Sequence, residues 1–356
     1  MSRKKQLLAA AAGLLAVIVL IAVGAANRRS SAKYSNTTFV MDTVVTQTVW
    51  GPRGEKAMSA AAQELTDIEA KLSLYSETSE IAAVNRAAGA QPVPVSPLTL
   101  DMLLTAQELA AASDGYFRIT VAPLSRLWNI MGENPTVPAQ TEIDAAMALV
   151  DDTALTVDAA ASTAALAKEG QALDLGGVAK GYACDVLRQL YLDTGVKHAL
   201  TSIGGNICAV GGNPDGRPFR IGFRDPAGGV SSYIASFTVN DAVVAVSGAY
   251  ERFFEQDGVI YHHILDPHTG YPAQSDIVSV GVVWPADGSA GEYPGASADH
   301  WSTTLFCWGR DKTLEWMKTS PAGVLLLDEA GTLYVSESLR EGFRAEVEDL
   351  EVVFVG

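Results

Sequence analysis

Residues 173–185 read LDLGGVAKGYACD: an apolar approach carrying one acid, Asp174, meets Gly176-Gly177 and passes straight into a helical pattern. Val178, Ala183, Val186, Leu187 and Leu190 fall on one face of that helix, so the chain must mix extended and helical structure around a tight corner. Paired glycines let the backbone turn where a side chain would clash, and they let a ligand come close to the main chain. The free N–H groups that open a helix attract anions, and Lys180 adds a mobile positive charge there. The same residues also describe an ordinary strand–turn–helix corner capped by Asp174. The full phosphate-loop spacing is absent, so both readings stay open at this point.

A chain of 356 residues can bury a large core, as one domain or as two intimate lobes. The formal charge of −16 hides an asymmetry. Residues 1–36 hold six basic residues and no acid, which leaves 19 basic against 41 acidic residues and a net −22 for the rest. A body that acidic excludes nucleic acid as a partner, and a polyphosphate ligand would need a metal or local cations to offset the repulsion. Residues 7–26 carry no charge, and twenty residues of helix can cross a hydrocarbon layer of ~30 Å. Arg3-Lys4-Lys5 would hold the N-terminus in the cytoplasm and send the body outward. The segment reads as an uncleaved anchor or as a signal peptide cut near Ala26. Cys184, Cys208 and Cys307 are scattered in apolar contexts, so free buried thiols are expected rather than disulfides or a metal cluster.

Residues 27–36 read as a polar tether, and the folded domain is expected over residues 37–356. Residues 38–50 alternate as one strand, with Met41-Asp42-Thr43 near its start, and Met58, Ala61, Leu65, Ile68 and Leu72 mark an amphipathic helix. Ser96-Pro97 starts a second helix, residues 116–121 read as a strand, and Thr141 with Asp144 opens a third helix. Residues 219–223, 233–239 and 243–247 read as strands of a largely antiparallel sheet. Residues 298–308 read as a helix, and residues 324–327 and 333–336 as a late hairpin. Helices alternating with hairpin-linked strands imply a mixed fold of the α+β class.

Residues 261–272, YHHILDPHTGYP, hold three of the five histidines, an acid and a turn fixed by Pro267 and Gly270. An imidazole there could take a proton from a hydroxyl nucleophile; a zinc site and a plain capped turn are the rivals. Asp299 and Thr303 lie four apart on one helix, so their oxygens point the same way. A carboxylate with a hydroxyl suits a hard cation such as Mg²⁺, although such a pair also occurs by chance.

Taken in order, the glycine corner with Asp174 and Lys180, then IGGN, SGAYER, HHILDPHTGYP and the Asp299–Thr303 helix resemble the ApbE family, the FAD:protein FMN transferases. MDT, the Tyr75 corner and SEIAAVN support the resemblance, which runs from about Met41 to about Ser336. It implies a two-lobed catalytic domain of that type, held outside the cytoplasm at the cell membrane. It further implies that Met41, Tyr75, Tyr116, Phe117, Arg118, Asp174, Lys180 and Ile264 line the FAD site. Gly177, through its carbonyl, Asp299 and Thr303 match magnesium ligands, and His263 matches the base. The implied reaction moves FMN from FAD to a threonine or serine of a partner protein and releases AMP. Three stretches depart from the family pattern: Arg118 replaces an acid, Val246 and Ala249 replace a threonine and an acid, and His300-Trp301 stand where small or aliphatic residues are usual. Two other functions compete, an FAD pyrophosphatase giving FMN and AMP and a non-catalytic, membrane-tethered flavin-binding protein.

Overall fold

The computed structural model describes residues 32–229 and 231–356. The expected helix over residues 7–26 lies outside them, and no helix among the described residues is long and apolar enough to cross a membrane.

Nine strands make one sheet, and their order across it is their order along the chain. They are β1 (Lys33–Val40), β2 (Thr43–Trp50), β3 (His198–Ile203), β4 (Asn206–Val210) and β5 (Ala242–Gly248), then β6 (Ile277–Pro285), β7 (Gly323–Asp328), β8 (Thr332–Ser336) and β9 (Glu351–Val355). Every neighbouring pair is antiparallel except β8 with β9, which run parallel. The described helices are α1 (Gly54–Leu72), α2 (Glu80–Arg86), α3 (Pro97–Ala111), α4 (Ala122–Trp128), α5 (Gln140–Met147), α6 (Ala179–Asp193), α7 (Pro294–Trp308) and α8 (Arg310–Met317).

The sheet is covered on both faces. Val45, Val49, Val243, Ala245, Val280 and Val324 share a core with Leu65 and Ile68 of α1, Leu187 and Tyr191 of α6, and Leu305 of α7. Val244, Val283, Leu325 and Leu333 point the other way, onto Phe219, Ile221, Phe223 and Phe237 of a small three-stranded sheet. Side chains alternate across a strand, so a strand buried on both faces must be apolar throughout. Strand β7, GVLLLD, is buried at all six positions.

Several expectations need correction. The single strand over residues 38–50 is a hairpin, because Met41 and Asp42 take positive φ angles of 57° and 55° and turn the chain in two residues. Its first strand starts at Lys33, inside the segment read as tether. Residues 116–121, including Tyr116, Phe117 and Arg118, form no strand. There Asp152 draws the backbone away from any ladder, accepting from the Ile119 N–H (3.2 Å), the Thr120 N–H (3.0 Å) and the Thr120 hydroxyl (2.6 Å). Helix α5 is capped at Ala139, whose N–H donates to Glu142 (2.9 Å), not at Thr141. Phe219–Arg224 and Tyr233–Val239 are strands as read, but they belong to the small sheet rather than the large one. The late hairpin is β7–β8 as expected.

Candidate active site

Helices α6 and α7 cross where neither has a side chain. A Cβ on Gly181 would collide with the Gly295 carbonyl, and one on Gly295 with the Gly181 carbonyl. This closeness lets each helix lend a carboxylate to the start of the other. Asp185 of α6 accepts from the Gly295 and Ala296 N–H groups at 2.6 and 2.8 Å, and Asp299 of α7 accepts from the Gly181 N–H at 2.8 Å. All three bonds use N–H groups that a helix start leaves without intrahelical partners, at its positive end. Desolvation in this seam pushes the Asp185 carboxyl up to about 7 despite the two bonds.

The glycine corner sits beside this crossing. Asp174 serves as its cap, taking the Gly176 N–H at 2.9 Å, while its own N–H donates to the Ile119 carbonyl at 2.8 Å. Lys180 reaches back one turn to donate to the Gly176 carbonyl at 3.1 Å. Gly177 must be glycine: the Phe117 ring stands 2.8 Å from where its Cβ would lie, and the Thr303 hydroxyl 3.6 Å from the same point. Phe117 is held from behind by the edge of the His300 ring, with centroids 4.7 Å apart. Gly177, Asp299 and Thr303 are therefore neighbours, as the sequence implied. The Thr303 hydroxyl donates to the Asp299 carbonyl at 3.4 Å, and Asp299, 5 % exposed, has one carboxylate oxygen engaged by Gly181.

These donors are all hard oxygens: a carboxylate with one oxygen to spare, a hydroxyl and a backbone carbonyl. Among the described residues no group of three or more His, Cys, Asp or Glu side chains converges to hold a metal. The oxygen set thus fits a magnesium-like cation that keeps further ligands from water or phosphate, and it does not fit zinc.

The adjacent histidines of HHILDP separate cleanly. His262 is buried, with its Nε2 on the Ala273 carbonyl at 3.1 Å and its Nδ1 accepting the Ile264 N–H at 3.3 Å. His263 turns into the open cleft, and its backbone N–H donates to the Arg252 carbonyl at 3.0 Å. His263 is exposed as a residue, yet protein crowds around its ring. That crowding, with the positive charges of Lys180 and Arg252, holds its pKa below the ordinary imidazole value, so the ring is neutral at pH 7. The Lys180 charge reaches this imidazole, while its ammonium group is tied to the Gly176 carbonyl of the glycine corner.

Arg252 also reaches the β1–β2 turn, where its guanidinium lies 3.5 Å from the Asp42 carboxylate. The Met41 N–H in the same turn donates to Glu69 of α1 at 2.9 Å, and α1 ends at the Tyr75 corner. Tyr75 is 80 % exposed, and the charges of Asp174, Arg252, Asp42 and Arg126 all reach it. Ile264 is buried behind His263. Tyr116 and Arg118 are not gathered at Gly177. The Tyr116 ring packs on His268, centroids 4.3 Å apart, and the Arg118 guanidinium points the same way, past Gly115. Sequence reasoning missed Arg252, Glu69 and Asp185. Asp185 was within reach, since it lies four residues after Gly181 on a helix whose facing side is otherwise apolar or small.

The ApbE family profile matches residues 41–326. The FAD:protein FMN transferase of Klebsiella pneumoniae is 33 % identical over 72 % of this chain and 77 % of its own length. That of Treponema pallidum is 32 % identical over 84 % and 85 %. Among solved structures, the ApbE protein of Thermotoga maritima superposes with a TM-score of 0.79 at 31 % identity, covering 88 % of this chain and all of its own. The flavin transferase ApbE of Vibrio cholerae does so at 0.76 and 26 %, covering 88 % and 99 %. This chain, matched through the glycine corner, the histidine loop and the Asp299 helix alike, belongs to the ApbE family.

Proposed function

We propose that this protein is an FAD:protein FMN transferase, which moves FMN from FAD to a threonine or serine hydroxyl of a partner protein and releases AMP. The observation that carries the proposal is an exposed, neutral His263 near Lys180, whose glycine corner stands beside an oxygen-only cluster. The family's named activity supplies the substrate.

The incoming hydroxyl oxygen forms a bond to the FMN phosphorus, and the bond from that phosphorus to the bridging oxygen breaks. The bridging oxygen leaves with AMP, and the hydroxyl proton goes to His263, whose low pKa keeps it free to accept. Such general-base help is worth typically ~10²–10⁴-fold. Asp299, Thr303 and the Gly177 carbonyl would hold Mg²⁺, which when bound draws negative charge from the phosphate oxygens. Lys180, tied back to Gly176, presents its ammonium group to the pyrophosphate. Phe117 and its His300 backing fix the Gly177 corner against drift, which matters because in-line transfer depends on position more than on covalent chemistry. Met41, Tyr75, Asp174 and Ile264 would line the FAD cleft, with Tyr116 and Arg118 at its outer side. The strongly acidic body makes cation assistance necessary for any pyrophosphate to enter. Residues 7–26 would anchor the chain and place this body on the outer side of the cell membrane.

One experiment tests the reading against its rivals. The protein is incubated with FAD, Mg²⁺ and an FMN-accepting domain, and the acceptor is then weighed by mass spectrometry. A gain of one FMN-phosphoryl unit supports transfer. AMP and free FMN without labelling would indicate a pyrophosphatase, and intact FAD a flavin-binding protein.

A further inference from the structure

The Tyr75 corner borders a cavity of about 480 Å³, within the ~300–1,000 Å³ usual for small-ligand sites. Leu74, Tyr75 and Ala82 give it an apolar side, and Asn85, Arg86 and Arg126 a polar one. Two ties join it to the catalytic elements. The Asn85 amide brackets the backbone of Leu173, the residue before Asp174: its oxygen accepts the Leu173 N–H at 2.6 Å and its nitrogen donates to the Leu173 carbonyl at 3.1 Å. Arg126 stands on α4, which Trp128 fastens to the histidine loop by donating to the Gly270 carbonyl at 2.7 Å. The charges of Asp174 and Arg126 both reach the Tyr75 phenol, so the ring is within electrostatic reach of the glycine corner and of α4.

Most of the polar wall is already spent. Asn85 is used on Leu173, and Arg86 donates at 2.6 Å to the carbonyl of Glu77, the one acid on the wall. Arg126 is not spent. Among the described residues, only the side chains of Arg118 and Arg126, of all the arginines, make neither a hydrogen bond nor an ion pair. The Arg118 guanidinium points past Gly115 instead of into this cavity. A guanidinium offers its N–H donors in a planar fork and accepts nothing. An aromatic face beside an unpaired donor fork suits a flat ring edged with carbonyl oxygens. We propose that Arg126 is a specificity-determining residue: the cavity takes the isoalloxazine ring of FAD, with Tyr75 along its face and the Arg126 fork donating to the carbonyl oxygens of its pyrimidine edge. The inference rests on the transferase reading, which supplies FAD as the ligand. Adenine, the other flat ring of FAD, carries no carbonyl, and its amino group would meet a fork that only donates. Arg126 therefore decides which end of the dinucleotide enters beside Tyr75.

The test is Arg126→Leu in the full chain with Mg²⁺, with FMN and AMP as separate competitors against bound FAD. Each half carries one phosphate, so the comparison isolates the ring. Arg126 is exposed and unpaired, so the variant should fold, which its far-ultraviolet spectrum checks. The expected result is a loss of ~10-fold or more in FMN affinity, as for hydrogen bonds from a charged donor, with AMP affinity unchanged. Arg126→Lys, which keeps the charge without the fork, should restore only part of the loss. Equal FMN affinity in wild type and Arg126→Leu, while wild type still labels the acceptor, overturns this assignment alone. A variant that loses FMN and AMP alike makes Arg126 a structural group, and one that loses AMP alone places adenine in the cavity; either overturns it. Wild type that binds no FAD, and so labels no acceptor, overturns the transferase reading and this proposal with it.

Discussion

His263 and His262 are neighbours in the chain with opposite fates. His262 is spent on the Ala273 carbonyl, while His263 faces the cleft with a lowered pKa. A base already neutral at pH 7 does not lose activity on mild acidification as an ordinary imidazole would. The acid limb of the transfer rate should therefore lie below the ~6.5 of a free histidine. A pH profile of single-turnover labelling checks this, and a limb at or above that value would count against the assignment. His263→Ala should lower the transfer rate by ~10²–10⁴-fold with FAD binding retained. If FAD binding by fluorescence titration fell instead, the ring would be structural. Asp299→Ala should remove metal-dependent turnover, and unchanged rates at saturating Mg²⁺ would exclude the oxygen cluster. At this scale the sequence was most informative, because DLGG, HHILDP and the Asp299–Thr303 spacing depend on local geometry. The resemblance singled out His263 over His262, but the physical cause of the difference, packing against Ala273 and Arg252, was not written in the sequence.

Between elements, the crossing of α6 with α7 carries the site. Gly181→Ala would place a methyl group against the Gly295 carbonyl, spreading the helices and pulling Asp299 from the Gly181 N–H. Overpacking of this sort costs about 1–3 kcal/mol, so a lower denaturation midpoint with loss of metal-dependent turnover is expected. Full stability with full activity in that variant would refute the account. Asp185 adds a pH signature. Its native pKa of about 7 lies above the ~3.9 of an unfolded aspartate, so between these values the native state binds more protons than the unfolded chain. Stability should accordingly fall as pH rises from about 4 to about 7 and level off above. Asp185→Asn should shrink the difference between melting points measured at pH 5 and pH 8. An undiminished difference would assign the slope elsewhere. Elements whose turn chemistry is written locally were legible, such as the β7–β8 hairpin across Asp328–Gly331. The Met41-Asp42 turn was not, because it adopts positive φ without the glycine that usually announces it. Residues 116–121 misled for another reason: a distant carboxylate, Asp152, overrides their strand-like composition.

For the whole molecule, charge sets the terms of binding. With a net −22 beyond residue 36, the body repels a dinucleotide unless a divalent cation accompanies it. Chelation should therefore weaken FAD binding, and added monovalent salt should partly restore it by screening, the reverse of what a basic site would show. Calorimetric titration with and without chelator decides the matter, and equal affinities would sink the idea. Composition made that charge balance plain, but the nine-stranded sheet could not be assembled from segments, since pairing joins residues far apart such as Val45 and Ile203. The order of that sheet has a consequence for how the chain reaches its native state. Because each strand is laid beside the one made before it, a polypeptide emerging amino end first can extend the sheet edge by edge as it arrives. The longest wait falls at β3, since residues 54–193 intervene before it can return to β2, and that pause is where holding factors would find the most persistent unpaired sheet to protect.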